Sequence, residues 1–179
     1  LPLRTFLPTT DRIDSSIANN VIDLQQHFKY RKDKLKLLRE VEVLIIDEVS
    51  MLRADVLDMM DFSLRFIRRN NQRFGGVQML FIGDLYQLPP VVRDEHVLKM
   101  FYNSPFFFDS LAIKDIPLIT IELTKVYRQT DQEFLEILNA IRDGDVANID
   151  FDHLNERYDP GFEAGDEPYV YLCSHNKMA

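Results

Sequence analysis

The chain has 179 residues, of which 46% are hydrophobic and 28% charged, and its formal net charge is −8. This composition is typical of a soluble globular protein and excludes an intrinsically disordered one. No apolar run approaches the roughly 20 residues of a membrane-spanning helix, no signal-peptide pattern is present, and the single cysteine, Cys173, excludes an internal disulfide.

The first half of the chain alternates helix and strand signals. Residues 14–28 carry apolar side chains at helical spacing, and the charged residues 29–40 favour a loop followed by a short helix. Residues 41–47 and 77–82 are continuous apolar runs, which predict strands buried on both faces of a parallel sheet. Residues 55–69 predict a helix between them, with an apolar side made of Val56, Met59, Met60, Phe66 and Ile67.

The second half continues this alternation. Residues 118–123 and 169–173 predict a third and a fourth strand. Between them, a capping box from Thr130 to Glu133 and a stop at Gly144 predict a helix. Its predicted inner side chains are Phe134, Leu138 and Ile141. Strands that alternate with helices indicate an α/β fold with a mostly parallel sheet.

Two adjacent acids follow the first buried strand. Asp47 and Glu48 come directly after four apolar residues, and Asp84 follows the second strand in the same way. In α/β folds, ligands bind at the carboxyl ends of the strands. In ATP hydrolysis, one such acid holds Mg²⁺ and the next deprotonates the attacking water, which requires the chain to turn at this pair. A purely structural strand end is the alternative.

The segment 83–91, GDLYQLPPV, adds polar groups to the same edge. Gly83 permits an unusual backbone turn, and Asp84 contributes a second anion. Gln87 offers both a donor and an acceptor, as contact with a γ-phosphate and a water requires. The two prolines that follow stiffen the segment. The alternative is a solvated turn.

Arg128 stands just before the capped helix, in the string LTKVYRQ. A guanidinium presents a rigid fork that matches phosphate, so this arginine is placed to contact charge from a neighbouring domain. An ordinary surface salt bridge is the alternative.

Two further patterns have both a structural and a functional interpretation. The basic residues of 29–39 and the cluster Arg65, Arg68, Arg69 and Arg73 indicate either a solvated helix face, which charge runs favour, or contact with DNA phosphates. Three consecutive phenylalanines, 106–108, favour packing beneath the sheet over stacking on bases. The four histidines lack metal-ligand spacing.

Three strings, taken in order, carry a resemblance to a known family: LIIDEVSML, GGVQMLFIGDLYQLPPV and LTKVYRQTDQEFLEILNAIRDG. They resemble the Pif-type helicases (named for petite integration frequency), in the RecD-related branch of superfamily one, over about residues 40–179. RecD is similar in the first two strings, but the double proline favours the Pif type. The family moves 5′-to-3′ on single-stranded DNA and acts in DNA repair, recombination and telomere maintenance.

The resemblance implies a set of roles and partners. Asp47 would be the Mg²⁺ ligand and Glu48 the general base. Gln87 would sense the γ-phosphate, and Arg128 would be the arginine-finger contact. Single-stranded DNA and duplex junctions would be the partners, ATP and Mg²⁺ the cofactors, and no membrane is implied. Candidates for contact with the DNA backbone are Ser174 and Asn176. The compartment would be the cytoplasm, in association with the nucleoid, in a bacterium, or the nucleus or mitochondrion in a eukaryote.

The resemblance implies a RecA-like P-loop NTPase motor fold that is incomplete here. Residues 1–124 would belong to the first motor domain and 125–179 to the second. The chain contains no G-x-x-x-x-G-K-[ST] phosphate loop and does not begin with Met, so we expect a fragment of a larger helicase. Alternatives are a non-catalytic interaction module with a motor-like sheet, or a RecD-type or relaxase-type ATPase.

Overall fold

Two short parallel strands, flanked by helices, form the sheet of the structure. This computed structural model describes residues 31–92, 95–163, 165, 168–170, 172 and 173. Strand β1 (Val43–Ile46) pairs in parallel with β2 (Gln78–Phe81), and Ile46 lies opposite Phe81 at the carboxyl ends. The predicted parallel pairing is confirmed for these two strands.

Helices account for most of the remaining regular structure. In chain order they are α1 (Lys32–Glu40), α2 (Ala54–Arg68), α3 (Glu95–Lys99), α4 (Gln132–Asp143) and α5 (Phe151–Asn155). The helix predicted at 14–28 lies outside the described residues. In the described part of the chain, no helix is both long and apolar enough to cross a membrane.

The chain divides into two compact units, with the boundary between Glu122 and Leu123. The first unit contains both strands and helices α1 to α3, and the second contains α4 and α5. That these units correspond to two motor domains, with the boundary at residue 124, stays a prediction.

The core of the first unit is built around the apolar side of α2. Leu57, Met60, Leu64 and Ile67 are buried at helical spacing and pack with Leu38 of α1. The predicted helix is therefore confirmed. Its predicted apolar side is wrong in part, since the side chain of Phe66 is exposed and the two fully buried leucines were missing from it.

The predicted burial of both sheet faces is wrong. Along β1, Leu44 and Ile46 are buried, whereas the side chains of Val43 and Ile45 are 47% and 58% exposed. Successive side chains of a strand point to opposite faces. Helices α1 and α2 share a core with the face of Leu44 and Ile46. The opposite face is therefore the one without comparable cover in the described structure.

The predicted third and fourth strands are not formed in the described residues. Residues 118–123 have no ladder partner there, and Ile119 is 94% exposed. In the range 169–173, the described residues are likewise outside any strand. A strand is stabilised by hydrogen bonds to a neighbour, so an apolar run alone does not form one.

The N-cap of α4 lies one residue after the predicted one. Asp131, not Thr130, is the N-cap, and its Oδ1 accepts a hydrogen bond from the Phe134 N–H at 3.1 Å. The helix ends at Gly144 in the left-handed conformation, as predicted. The predicted inner side is corrected, since the buried residue is Ile137, and Leu138 is exposed.

The three phenylalanines pack mainly as predicted. Phe107 is buried, with its ring centroid 5.4 Å from that of Phe81 on β2. Phe106 and Phe108 stack on each other at 5.3 Å. The central ring therefore contributes to the core beneath the sheet.

Arg68 acts as a clamp at the end of α2. Its Nε donates to the Gly75 carbonyl at 2.8 Å, and its Nη1 donates to the carbonyls of Arg39 at 2.7 Å and Val41 at 2.9 Å. Charge-assisted bonds to carbonyls are stronger than neutral ones. This arginine therefore fixes the end of α1, and with it the start of β1, and its predicted solvated position is corrected.

Asp58 joins α2 to the chain that follows α3. Its carboxylate accepts hydrogen bonds from the Tyr102 hydroxyl at 2.7 Å, from the Ser110 hydroxyl and from the Ala112 N–H at 2.8 Å. Burial, together with the hydrogen bond to Asp58, raises the pKa of Tyr102 far above its ordinary value of about 10. The folded protein therefore holds this phenol neutral.

This raised pKa predicts a loss of stability in alkali. In the unfolded chain Tyr102 ionises near pH 10, whereas in the folded chain it does not, so the free energy of unfolding should fall by about 1.4 kcal/mol per pH unit above pH 10. Tyr102→Phe should lack this component and should cost about 1–3 kcal/mol at neutral pH. Urea unfolding between pH 7 and 11 measures both effects. Tyr127→Phe, at an exposed ring, should match the wild type.

Candidate functional site

Backbone hydrogen bonds bring the ends of the two strands together. The Ile82 N–H donates to the Ile46 carbonyl at 2.8 Å, and the Val49 N–H donates to the Ile82 carbonyl at 2.9 Å. The loop after β1 is thereby held against the end of β2. Asp47 and Asp84 accordingly follow paired strand ends, as expected from the sequence.

The chain turns sharply at Glu48. Its backbone is left-handed, with φ 53° and ψ 42°, and its N–H donates to Oδ1 of Asp47 at 2.9 Å. A short 3-10 turn, Val49–Met51, follows. The predicted turn at the acid pair is therefore confirmed. A left-handed residue other than glycine costs about 1–2 kcal/mol, and such strain is concentrated at functional sites.

A glycine is needed at position 83 because a side chain would clash with the loop after β1, and not because of its backbone angles. It is not among the residues with positive φ, so the unusual turn predicted at this glycine is wrong. A Cβ added here would lie 2.9 Å from the Val49 backbone nitrogen and 3.0 Å from Val49 Cγ1. The loop that carries Glu48 can therefore pack on the end of β2 only because residue 83 has no side chain.

Gly83→Ala should disturb this loop. The added methyl group meets backbone that is fixed by the Val49–Ile82 hydrogen bond, so we expect a loss of about 1–3 kcal/mol in the free energy of unfolding. Urea unfolding measures the loss. Gly161→Ala, where the nearest atom lies 3.5 Å from the added Cβ, is the matched control and should change stability by less than about 0.5 kcal/mol. Equal effects would contradict the close approach.

Asp84 organises the turn that carries Gln87. Its Oδ1 accepts from the Tyr86 N–H at 3.1 Å, and its carbonyl accepts from the Gln87 N–H at 3.1 Å. The Nε2 of Gln87 lies 3.4 Å from Asp84 Oδ2, at the long end of the hydrogen-bond range. The exposed glutamine amide is therefore held at the same edge as the acid pair.

The carboxylates at this edge fit a magnesium ion bound with a nucleotide. Asp47 and Glu48 are both exposed, and one oxygen of Asp47 is already engaged by a backbone N–H. The described residues contain no cluster of three or more His, Cys, Asp or Glu that could hold a metal. Mg²⁺ usually takes one or two carboxylates and completes its shell with water and phosphate oxygens, so a full protein cage is not required.

Arg128 belongs to the second unit and is described there by itself. It is exposed, and it has no hydrogen bond or ion pair within the described part of the chain. Its neighbours are ordered. Gln129 Oε1 accepts from the Thr130 N–H at 2.8 Å, and the Lys125 ammonium lies 4.8 Å from the centroid of the Tyr127 ring. The surface salt bridge that was the alternative for Arg128 is not formed in the described residues.

Ser174 and Asn176, the candidates for contact with the DNA backbone, lie outside the described residues.

A residue that the sequence did not indicate is Ser50, two positions after Glu48. Its side chain is fully buried, and its hydroxyl has no hydrogen-bond partner in the described structure. A buried unpaired hydroxyl costs about 1–3 kcal/mol. Nothing in the sequence distinguishes it from an exposed turn serine, because its burial depends on the approach of Gly83.

Comparison with curated proteins finds ATP-dependent DNA helicases. RRM3 of Saccharomyces cerevisiae is 44% identical over 134 residues, which cover 73% of this chain and 18% of RRM3. Pif1 of Campylobacter jejuni is 34% identical over 175 residues, covering 92% of this chain and 36% of the relative. The chain thus spans between about a fifth and about a third of the length of these relatives.

Comparison with solved structures gives the same family. The Pif1 helicase from Bacteroides, in complex with ADP-AlF3 and ssDNA, aligns with a TM-score of 0.77 and 40% identity over 84% of this chain and 36% of its own. Pif1 helicase from Candida albicans aligns with a TM-score of 0.62 and 39% identity, over 76% and 29%. The RecA-like motor fold expected from the sequence is therefore confirmed. Residues 12–151 match the family model described as PIF1-like helicase, and this chain belongs to that family.

Proposed function

We propose that this chain is part of the motor of an ATP-dependent DNA helicase, which moves 5′-to-3′ on single-stranded DNA and unwinds duplexes. The observation that supports this most directly is the left-handed turn at Glu48, which is held by hydrogen bonds to the end of β2. It brings two adjacent carboxylates to the strand edge where Gln87 is also held. Two acids and an amide are groups that suit the transfer of a phosphoryl group from ATP to water.

Each residue has a proposed task. Asp47 holds Mg²⁺ through its free oxygen, Glu48 accepts a proton from the attacking water, and Gln87 contacts the γ-phosphate and that water. Bound Mg²⁺ would neutralise charge on the phosphate oxygens. Arg128 reaches the same phosphates from the second motor domain, which begins near residue 125, and its exposed guanidinium is suited to that task.

The partners follow from the same proposal. The Bacteroides protein that aligns with this chain is bound to single-stranded DNA in one structure, and another structure concerns unwinding at forked duplex DNA by two Pif1 helicases. We propose single-stranded DNA and duplex junctions as the substrates of the full-length protein, with Ser174 and Asn176 as contacts to the DNA backbone. Its compartment would be the cytoplasm, in association with the nucleoid, in a bacterium, or the nucleus or mitochondrion in a eukaryote.

Unwinding of a tailed duplex by the full-length protein tests this function. A fluorescently labelled duplex with a 5′ single-stranded tail should be unwound in the presence of ATP and Mg²⁺, and one with only a 3′ tail should not. ATP hydrolysis that single-stranded DNA stimulates, without any unwinding, would favour a translocase. The absence of hydrolysis would contradict the proposal as a whole.

The 179-residue chain alone should not hydrolyse ATP at a measurable rate. It lacks the glycine-rich loop and lysine that hold the phosphates, so the acids at its strand edge have no bound nucleotide to act on. Phosphate release by the purified chain, with and without single-stranded DNA, measures this. Steady release that Glu48→Gln abolishes would show that the phosphates bind elsewhere.

A further inference from the structure

A basic cavity lies at the opposite edge of the sheet from Glu48. Its volume is about 450 Å³, and it is lined by Arg39, Ile67, Arg68, Arg69 and Asn70. Helix α2 runs back from the carboxyl end of β1 to the amino end of β2, so its last residues are at the amino edge. The cavity is therefore separate from the proposed nucleotide site. Its size is within the range of roughly 300–1,000 Å³ that ligand pockets show.

Among the residues that the structure describes, the lining has three guanidinium groups and no carboxylate. The chain as a whole is acidic, with a net charge of −8, so any contact with a polyanion must come from such a local patch. The other arginines in the described part of the first unit have an acidic or carbonyl partner. Arg53 pairs with Asp55, and Arg65 pairs with Asp61 at 2.8 Å. Positive charge therefore remains uncompensated at the cavity.

Most backbone carbonyls that could accept hydrogen bonds from the guanidinium groups of this cavity already have a donor. At the end of α2, the Arg65 carbonyl accepts from the Asn70 N–H at 3.1 Å, and the Phe66 carbonyl accepts from the Arg69 N–H at 3.3 Å. The Ile67 carbonyl accepts from Arg39 Nε at 3.3 Å. These bonds satisfy the carbonyls that give a helix C-terminus its negative character.

Some guanidinium N–H groups at the cavity have no hydrogen-bond acceptor in the described structure. Arg68, which also lines the cavity, donates from Nε and Nη1 to backbone carbonyls. Arg39 has one such bond, from Nε, and Arg69 has no side-chain hydrogen bond or ion pair in the described part of the chain. Both side chains are exposed. The terminal nitrogens of Arg39 and the whole guanidinium of Arg69 thus remain as donors on one open cavity, and such groups match the oxygens of a phosphate group.

We propose that Arg39 and Arg69 form a phosphate-binding site for the sugar–phosphate backbone of DNA, remote from the nucleotide and additional to the DNA contacts of the motor. The inference rests on the proposed function, since it takes DNA as the source of the phosphate. The open cavity and exposed guanidiniums suit a polymer that passes across the surface. The other arginines of the predicted cluster, Arg65, Arg68 and Arg73, are occupied by Asp61 and by backbone carbonyls.

The salt dependence of DNA binding by the full-length protein tests this site. Affinity for a 5′-tailed duplex is measured by fluorescence anisotropy at several salt concentrations. Arg39→Gln combined with Arg69→Asn should reduce the slope of log K against log salt by about 1.8 on duplex DNA, or about 1.4 on a single strand. Asn is chosen because Arg69 has a φ of 51°, which Asn tolerates. ATP turnover without DNA should remain at the wild-type rate.

A matched control removes the same charge elsewhere. Lys36→Gln combined with Lys99→Gln removes two exposed cations, each of which already faces a glutamate, Glu40 and Glu95. Its slope should remain within about 0.5 of the wild type. An equal decrease in both double variants would show a general charge effect and would overturn the site. If Arg39→Gln prevents folding, Arg69→Asn alone should still lower the duplex slope by about 0.9.

Two further measurements, of inorganic phosphate binding and of ATP hydrolysis, show whether DNA is the source of the phosphate and whether a failure concerns this site or the proposed function. Loss of inorganic phosphate binding in the double variant, with an unchanged DNA slope, would identify free phosphate as the ligand and overturn the DNA assignment. An unchanged slope without phosphate binding would overturn the site altogether. If the wild-type protein hydrolyses no ATP, the proposed function fails, whereas the salt slope still reports on Arg39 and Arg69.

Discussion

Glu48→Gln in the full-length protein should lower the ATP turnover number by about 10²–10⁴-fold, the usual contribution of a positioned general base. Glutamine keeps the size and hydrogen-bonding shape of the side chain but cannot accept the proton of the attacking water. The neighbouring Asp47 is unchanged, so Mg²⁺ and nucleotide binding should persist. Steady-state hydrolysis and titration with a fluorescent nucleotide measure the two quantities, and only the first should fall.

The interpretation depends on the fold of the loop being kept. Glu48 is exposed, and its turn is held by backbone bonds from Val49 and Met51 and by the Asp47 carboxylate, none of which uses the Glu48 side chain. Glu42→Gln is the matched control, because this exposed glutamate lies just before β1, at the other end of the strand. Its turnover should equal that of the wild type. Hydrolysis by Glu48→Gln at the wild-type rate would assign the base to another residue.

The site was predictable because its signals are local. Acids directly after an apolar run indicate a strand end, and the parallel pairing of β1 with β2 then brings Asp47 and Asp84 to one edge. The left-handed turn falls at Glu48, where adjacent carboxylates required the strand to end. The sequence did not predict why residue 83 is a glycine, because the clash of a Cβ with Val49 depends on a contact between two loops.

The faces and partners of the strands were not predictable from the same local signals. An apolar run such as that of β1 specifies a strand but not what covers each side, and Val43 and Ile45 remain exposed in the described structure. The run at 118–123 has strand composition but, within the described part of the chain, no neighbour with which to form a ladder. Pairing and cover depend on other parts of a fold, of which this chain spans only a portion.

Arginine roles were equally hidden in the sequence. Arg65, Arg68 and Arg69 are close in the chain, yet the first pairs with Asp61 and the second binds carbonyls from two separate segments. Only the third is left exposed and unbonded among the described residues. Charge density along a helix therefore did not distinguish a structural clamp from a candidate phosphate contact, because the acceptors come from α1 and from the turn at Arg73–Gly76.

Gly75→Ala should destabilise the protein by about 3 kcal/mol or more. Phe74, Gly75 and Gly76 form a run of left-handed residues after α2, and Gly75 has a φ of 62°. An added Cβ would lie 2.7 Å from the Leu64 carbonyl oxygen and 2.9 Å from Arg68 Cδ. The methyl group would thus meet rigid helix backbone in addition to the strain of the left-handed conformation. Urea unfolding measures the loss.

The neighbouring glycine separates these two costs. Gly76 also has a positive φ, of 79°, but a Cβ there meets only the side-chain ends of Asn70 and Gln72, which can shift at less cost than helix backbone can. Gly76→Ala should therefore cost about 1 kcal/mol, the backbone part alone. Equal losses for both variants would show that the close approach to α2 contributes nothing. A larger loss at Gly75 would be the cost of the contacts with the Leu64 carbonyl and with Arg68, whose bonds to the Arg39 and Val41 carbonyls fix the start of β1.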